Sequence, residues 1–445
     1  MTKINIKPAK GKLGVLVIGI GGAVSGTMIG GVELVKKGAS KPIGSFTQMG
    51  TMRIGDRKTG KTVKVNDFIP LHKLEDIVWG GWDLNPSNLY EAGLHHQVLD
   101  KEQVNLIKNE LQKIQPMEGV YSEKYVKNLP PVHVKKSTNK LELVKAVEED
   151  IKKFKAANNL EDLVMIWCAS TEAYIPISDV HKTLKNFEKG LQEDNDLISP
   201  SMIYCYAALK NGIPFINGAP HLCCDAPAMV ELSLAQNTPI SGKDFKTGQT
   251  LMKTIVAPGL KERYLGVDGW YSTNILGNRD GLVLDAPENF KSKEVSKLSV
   301  LESILDGEEN PELYGNMYHM VRIIYYPPKG DNKESWDNID IFGWLGYKMQ
   351  IKINFLCRDS ILAAPVALDL VLFMDFAKRA NQKGVQEWLS FYLKAPQCAP
   401  DIQPLNDLFQ QAEKMKNNLR FLMGEDLITY LGREYYEEKE KVQTK

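Results

Sequence analysis

The chain has 445 residues, 43% of them hydrophobic and 25% charged, enough to bury one or more sizeable cores in an ordinary globular protein. Its 55 lysines and arginines balance 55 aspartates and glutamates, so there is no bulk field to draw a nucleic acid or an anionic membrane surface. Any positive patch must be local.

The stretch LGVLVIGIGGAVSGTMIGGV, Leu13 to Val32, is uncharged and as long as a membrane span. Its glycines dilute the hydrophobicity, and the spacing of Met28, Ile29, Val32 and Val35 predicts a buried strand, a tight turn and a helix instead. A signal peptide or anchor is the alternative reading of this segment. Gly19, Gly21 and Gly22 end the strand, where glycines let the backbone approach a pyrophosphate at a helix N-terminus. Val24 occupies the third glycine position of G-x-G-x-x-G, so the loop alone is a weak signal.

Asp56 to Lys64 reads as an exposed polar turn. DIVWGGWDLNP predicts a second strand that ends at Asp83, whose carboxylate suits a ribose hydroxyl although it lies farther downstream than the simple fingerprint has it. Lys101 to Lys155 is lysine-rich and helical in pattern, interrupted by NLPPVHVKKSTNK, as solvated helix faces and a surface loop are. DLVMIWCAST predicts another buried strand, Ser199-Pro200 opens a helix that Gly212 closes, and PFINGAP predicts a further strand. Strands alternating with helices in this way predict a parallel, doubly wound sheet.

Near Thr250 the pattern changes. YKMQIKINFLC alternates, with Tyr347, Met349, Ile351, Ile353 and Phe355 on one face and lysines, Gln350 and Asn354 on the other, which predicts a sheet covered on one side only. In NFKSKEVSKLSV, Ser292 reads as a helix N-cap with Glu294 in the first turn, placing Lys293 and Lys297 on one face. From Ala363 a strongly apolar helix follows, in which Asp369 reads as structural, and the charged tail reads as frayed. The six cysteines show no C-x-x-C pair and read as free thiols of a reducing cytosol. His95-His96 point to different helix faces and are left unassigned; no metal is assigned to His221 beside Cys223-Cys224 or elsewhere.

Taken in order, GWDLNPSNLYEA, NGAPHLCCDAPAMVEL, ISGKDFKTGQT, NILGNRDG, FKSKEVSKLSV, PPKGDNKESWD, CRDSILAAPVALDLVL and SFYLKAP resemble the inositol-3-phosphate synthases (myo-inositol-1-phosphate synthases), over about Gly14 to Pro396. The resemblance implies an α/β fold: a Rossmann-type NAD-binding domain with an inserted α+β domain for catalysis and tetramerisation. The expected boundaries are 1–250 for the first part of the NAD-binding domain, 251–361 for the insert and 362–445 for the return. The implied activity is cyclisation of D-glucose 6-phosphate to 1D-myo-inositol 3-phosphate by a cytoplasmic homotetramer, with NAD reduced and reoxidised and no nucleic acid or membrane as partner.

Carried over by position, Gly19, Gly21, Gly22, Ala23 and Val24 lie under the pyrophosphate and Asp83 holds the adenosine ribose. Ala169, Ser170 and Thr171 line the cofactor cleft; Asp244, Asn278, Asp280, Asp359 and Ser360 stand near the nicotinamide end. Thr247, Gly248, Gln249 and Thr250 bind the substrate phosphate, and Lys293, Lys297, Lys333 and Lys394 match the catalytic lysines, with Lys297 and Lys333 chiefly on the phosphate. Fixed ammonium groups can steady developing oxyanions where other aldol chemistry uses a metal, and desolvated lysines exchange protons near neutral pH. The chain departs from the family at Ala23-Val24, where asparagines are usual, at Arg279 for asparagine, at Leu251 for lysine and at Arg358 for an acid. The rivals are an NAD-dependent oxidoreductase with net turnover and a non-catalytic NAD-binding homologue.

Overall fold

The computed structural model describes residues 4–55, 60–137 and 139–429, except for the side chains of residue 280 and residues 294–299. Part of the Asp56–Lys64 turn and all of the charged tail REYYEEKEKVQTK lie outside the described residues.

The uncharged N-terminal stretch forms a fully buried strand, β1 (Leu13–Ile18), then a glycine turn and the helix Ala23–Lys36. Two short strands, β2 (Thr51–Ile54) and β3 (Lys61–Lys64), pair antiparallel, so the second half of the expected polar turn is one arm of a hairpin. The alternation of Thr62 and Val63 between lysines is too short to signal this from the sequence. Next come β4 (Ile77–Asp83), β5 (Met117–Glu118), β6 (Asp162–Trp167), β7 (Phe215–Asn217) and β8 (Pro239–Gly242).

A second group follows: β9 (Gly266–Leu276), β10 (Tyr318–Tyr325), β11 (Asn332–Phe342) and β12 (Lys348–Arg358). The last strand, β13 (Gly384–Val385), returns to the first sheet. That sheet has the order β13-β8-β7-β6-β1-β4-β5, every pairing parallel. β1 therefore lies centrally between β4 and β6, and the loops after all three strands open on the same edge. In open parallel sheets this carboxyl edge is where ligands bind.

The helix Asp359–Arg379 packs on the helix Ala23–Lys36 and on β6, filling the larger core with Leu370, Val371, Phe373 and Phe376. It begins four residues before Ala363, directly after β12. Among the described residues it is the one helix long and apolar enough to cross a membrane, but 78% of its apolar window is buried inside the molecule. Inside it, Asp369 accepts hydrogen bonds from the Ser45 and Thr47 hydroxyls at 2.6 Å each, from the Phe46 and Thr47 amides and from the Tyr392 hydroxyl. Such a fully satisfied buried carboxylate ties core elements together, which is a structural use of the residue.

The second sheet runs β10-β9-β11-β12, with β10 and β9 parallel and the other pairs antiparallel. Along β11, Lys333, Ser335, Asp337, Ile339 and Ile341 are buried and their neighbours are not, the two-residue period of a sheet covered on one face. On β12 the inner residues are Ile351, Ile353, Phe355 and Cys357, while Tyr347 and Met349 at the tip are exposed. The helices Gly248–Glu262 and Pro287–Ile304 cover the inner face together with the cluster around Trp270 and Ile339.

The helix Pro287–Ile304 starts earlier than expected. Its N-cap is Ala286 and proline takes the first position. Ser292 is thus inside the helix, and its hydroxyl donates 3.0 Å to the Glu172 carbonyl oxygen instead of capping. Lys293 accordingly sits in the second turn, past the positive end of the helix dipole.

Candidate active site

The glycine turn after β1 is dictated by crowding. Gly19 has φ +80°, and a Cβ there would stand 2.7 Å from the Ala169 backbone. A Cβ on Gly21 would meet Asp83 Oδ2 at 3.0 Å. The Asp83 carboxylate accepts from the Gly21 amide at 2.9 Å and the Asn85 amide at 3.0 Å, which fixes the end of β4 against the turn. Burial pushes this carboxyl above its ordinary value, opposed by those two amides. His96 Nε2 lies 2.7 Å from the Gly21 carbonyl oxygen, and burial lowers its pKa. The helix Ala23–Lys36 has no side-chain cap and no acidic residue in its first turn, so its leading amides face the cavity open to an anion.

From this turn a cavity of about 640 Å³ runs along the sheet edge into the gap between the two sheets. Gly19, Gly21, Gly22, Ala23, Val24 and Asp83 line one end; Ala169, Ser170 and Thr171 line the middle; Asp244, Thr247, Asn278, Lys293, Asp359, Ser360 and Lys394 line the other. Residues up to 375 positions apart in the chain thus share one space.

At the far end two charge clusters meet. Residues 392–397 run antiparallel to 242–246: the Lys394 amide donates 2.7 Å to the Asp244 carbonyl, and Lys243 and Ala395 exchange amide–carbonyl bonds. This ladder sets the Lys394 side chain beside Asp244, whose φ of +64° is a conformation aspartate tolerates better than most residues. Asp244 Oδ1 accepts from Lys394 Nζ at 3.2 Å and from Lys293 Nζ at 3.0 Å. The helix bearing Lys293 is docked by Asn289, which donates 2.9 Å to the carbonyls of both Tyr125 and Thr171.

Burial would raise the Asp244 carboxyl, but the two ammonium groups outweigh it and hold it down at about 2. Burial pulls the Lys394 ammonium down to about 8 despite Asp244. Lys333, the second residue of β11, pairs with Cys357, two residues before Asp359, and this register puts its Nζ 3.3 Å from both Asp359 oxygens. Against its burial, Lys333 and Lys394 hold the Asp359 carboxyl well below the ordinary range.

Some expected site residues stand elsewhere. Of the Thr247–Thr250 stretch only Thr247 reaches the cavity. Gly248 opens the helix Gly248–Glu262 with φ +53° against the Lys333 stem, and Thr250 is buried. The Gln249 amide points into the second sheet, donating 3.2 Å to Asp337 Oδ1 and accepting 2.6 Å from Asn274 Nδ2. Lys333 lies behind Asp359 and does not line the cavity itself. The side chains of Lys297 and Asp280 lie outside the described residues.

Other cavity residues were not singled out as site residues from sequence. Asp331 accepts 2.6 Å from the Ser360 hydroxyl and 3.2 Å from its amide, fixing the start of the long helix. Glu172 takes Ser201 through its amide and hydroxyl, and burial pushes its carboxyl up to about 7. Each depends on contacts across 29 residues, which no local pattern reports. Arg358 reaches across to the carbonyls of Gln97 and Val98.

The family described as myo-inositol-1-phosphate synthase matches residues 13–420. Inositol-3-phosphate synthase 1 of Bacteroides thetaiotaomicron is 56% identical over 431 residues, spanning 97% of this chain and all of that relative. The inositol-3-phosphate synthase of Saccharomyces cerevisiae is 31% identical over 95% of this chain and 87% of its own length. The crystal structure of inositol-3-phosphate synthase from Caenorhabditis elegans superposes with a TM-score of 0.89 at 28% identity, covering 97% of this chain and 89% of that one. The chain belongs to the myo-inositol-1-phosphate synthase family.

Proposed function

We propose that this chain is an NAD-dependent inositol-3-phosphate synthase, converting D-glucose 6-phosphate to 1D-myo-inositol 3-phosphate. One observation carries the reading most: Asp244, Lys293, Lys394 and Asp359 share a single cavity with the glycine turn and Asp83. The dinucleotide end fits NAD, because only glycine fits where a pyrophosphate must approach and Asp83 stands ready for a ribose hydroxyl. Held there, NAD would supply the hydride acceptor for C5 of the open-chain sugar and the donor that restores it, with no net oxidation.

The chain's own side chains handle protons and negative charge. In its neutral form Lys293 takes the C5 hydroxyl proton, and the ammonium so formed, hydrogen-bonded to Asp244, steadies oxygen charge there. Lys394, lowered to about 8 by burial, carries a proton that it can release and recover near neutral pH. It assists removal of a C6 proton and protonates the C1 oxygen as the ring closes. Lys333 and Lys297 compensate the phosphate, with Thr247 at the start of the helix Gly248–Glu262 adding a hydroxyl. Removing a single preorganised donor of this kind costs a factor of about 100 to 1,000 in rate. The bound phosphate dianion itself remains a candidate base at C6.

The active form is a cytoplasmic homotetramer. Supporting the assembly, the outer face of the second sheet exposes Tyr318, Ile324, Trp336 and Leu356. Large apolar side chains standing out from an otherwise polar face fit a protein contact.

The test is incubation with D-glucose 6-phosphate and a small amount of NAD, followed by phosphorus NMR. Inositol 3-phosphate forms many times over per NAD, without accumulating NADH. NADH released in step with substrate would instead identify a net dehydrogenase.

A further inference from the structure

We infer that Arg279 grips the pyrophosphate of the bound dinucleotide, supplying from the second sheet's side the contact that the glycine turn lacks. The inference rests on the reading of the cavity as an NAD site.

The glycine turn is short of donors. The Gly19 and Ile20 amides are spent on the Trp82 carbonyl at 2.8 and 3.1 Å, Gly21 on Asp83 and Gly22 on the Gly19 carbonyl at 2.9 Å. What remains are the leading amides of the helix Ala23–Lys36. Ala23 and Val24 bring no side-chain donor. A pyrophosphate has two negative charges, and charged donors bind it about twice as strongly as neutral ones.

Arg279 stands opposite. It opens the helix Arg279–Leu284, directly after Asn278, and lines the main cavity. It also lines a side pocket of about 140 Å³ shared with Gly21, Asp83, Asn85 and His96. Its charge is felt at both Asp83 and His96. Among the described residues it makes no hydrogen bond and no ion pair, unlike Lys293, Lys394 and Lys333, each bound to a carboxylate, and unlike Arg358, spent on two carbonyls.

An uncommitted guanidinium facing the glycine turn, in a chain whose turn lacks side-chain donors, is a compensating pair. The planar fork of arginine matches phosphate oxygens with two parallel donors.

The experiment measures binding by calorimetry for the wild type, Arg279→Ala and Arg279→Asn, using NAD, NADP, ADP-ribose and adenosine. Wild type binds NAD; its failure to do so would overturn the cofactor site itself. Both variants weaken NAD and ADP-ribose by about tenfold while adenosine is unchanged, the loss expected for one charge-assisted contact. NAD affinity within twofold of wild type would overturn the inference. So would a loss confined to NADP, which would assign the guanidinium to a 2′-phosphate.

Discussion

The two ends of the cavity hold anions by opposite means. At the dinucleotide end, recognition is built from backbone: three glycines, a bare helix N-terminus and one carboxylate pinned by amides. At the lysine end it is built from charge: three buried ammonium groups share two carboxylates, leaving an excess positive charge for a phosphate to neutralise. The first arrangement relies on close approach and, since Ala23 and Val24 bring no side-chain donor, on the contact proposed for Arg279. The second depends on side chains brought from positions 49 and 150 residues away from Asp244. Binding and chemistry therefore fail separately when residues at the two ends are changed.

The largest expected separation comes from Lys293→Ala. Removing the ammonium that Asp244 orients lowers turnover by about 100- to 1,000-fold, the scale of losing an electrostatic group made for the transition state. NAD affinity, set at the other end, stays within about threefold by the same reasoning. Rates from phosphorus NMR and affinities from calorimetry read the two effects independently. Parallel losses in both would dissolve the distinction between the ends.

The same contrast governs what the sequence disclosed. Strands β1, β4, β6 and β7 and the helix at Pro200 were legible because buried runs and Ser-Pro starts are local. So was the one-sided second sheet, whose period of two survives in β11 and β12. The start of the Lys293 helix was misread at Ser292, because a serine hydroxyl that finds the Glu172 carbonyl in space resembles a cap in sequence. The hairpin of β2 and β3 hid in a short lysine-threonine run. Asp244 was placed beside the cofactor, but its bonds to Lys293 and Lys394 span distances that no window covers. His96 and Arg279 join the glycine turn only through the folded sheet edge.

A smaller effect concerns acid. Asp244 is held at about 2 against an ordinary 3.8, so the unfolded chain takes up its proton first as pH falls. The stability this contributes is fully present above pH 4 and disappears between about 4 and 2. It amounts to something on the order of 2 kcal/mol, or about thirtyfold in the folding equilibrium. Asp359 adds to the same trend, its carboxyl being lowered as well. Urea midpoints taken at pH 5 and pH 2.5 should draw closer together in Asp244→Asn than in wild type. Equal slopes would mean that the lysine pair contributes nothing to the carboxylate.

Asp83 carries the sign the other way. Its carboxyl is raised by burial, so the folded protein binds the proton more tightly and loses stability as pH rises through that value. Asp83→Asn removes a charge the fold holds at a cost, yet the new side-chain oxygen can still accept from the Gly21 amide. The variant should melt at or above the wild-type temperature at pH 7. Its NAD affinity should fall by about tenfold, because an amide accepts less strongly than a carboxylate from a ribose hydroxyl. Turnover at saturating NAD should change little, since the lysine end is untouched. A melting temperature lowered by several degrees with NAD affinity intact would make Asp83 a brace for the glycine turn and leave the dinucleotide end held by backbone alone.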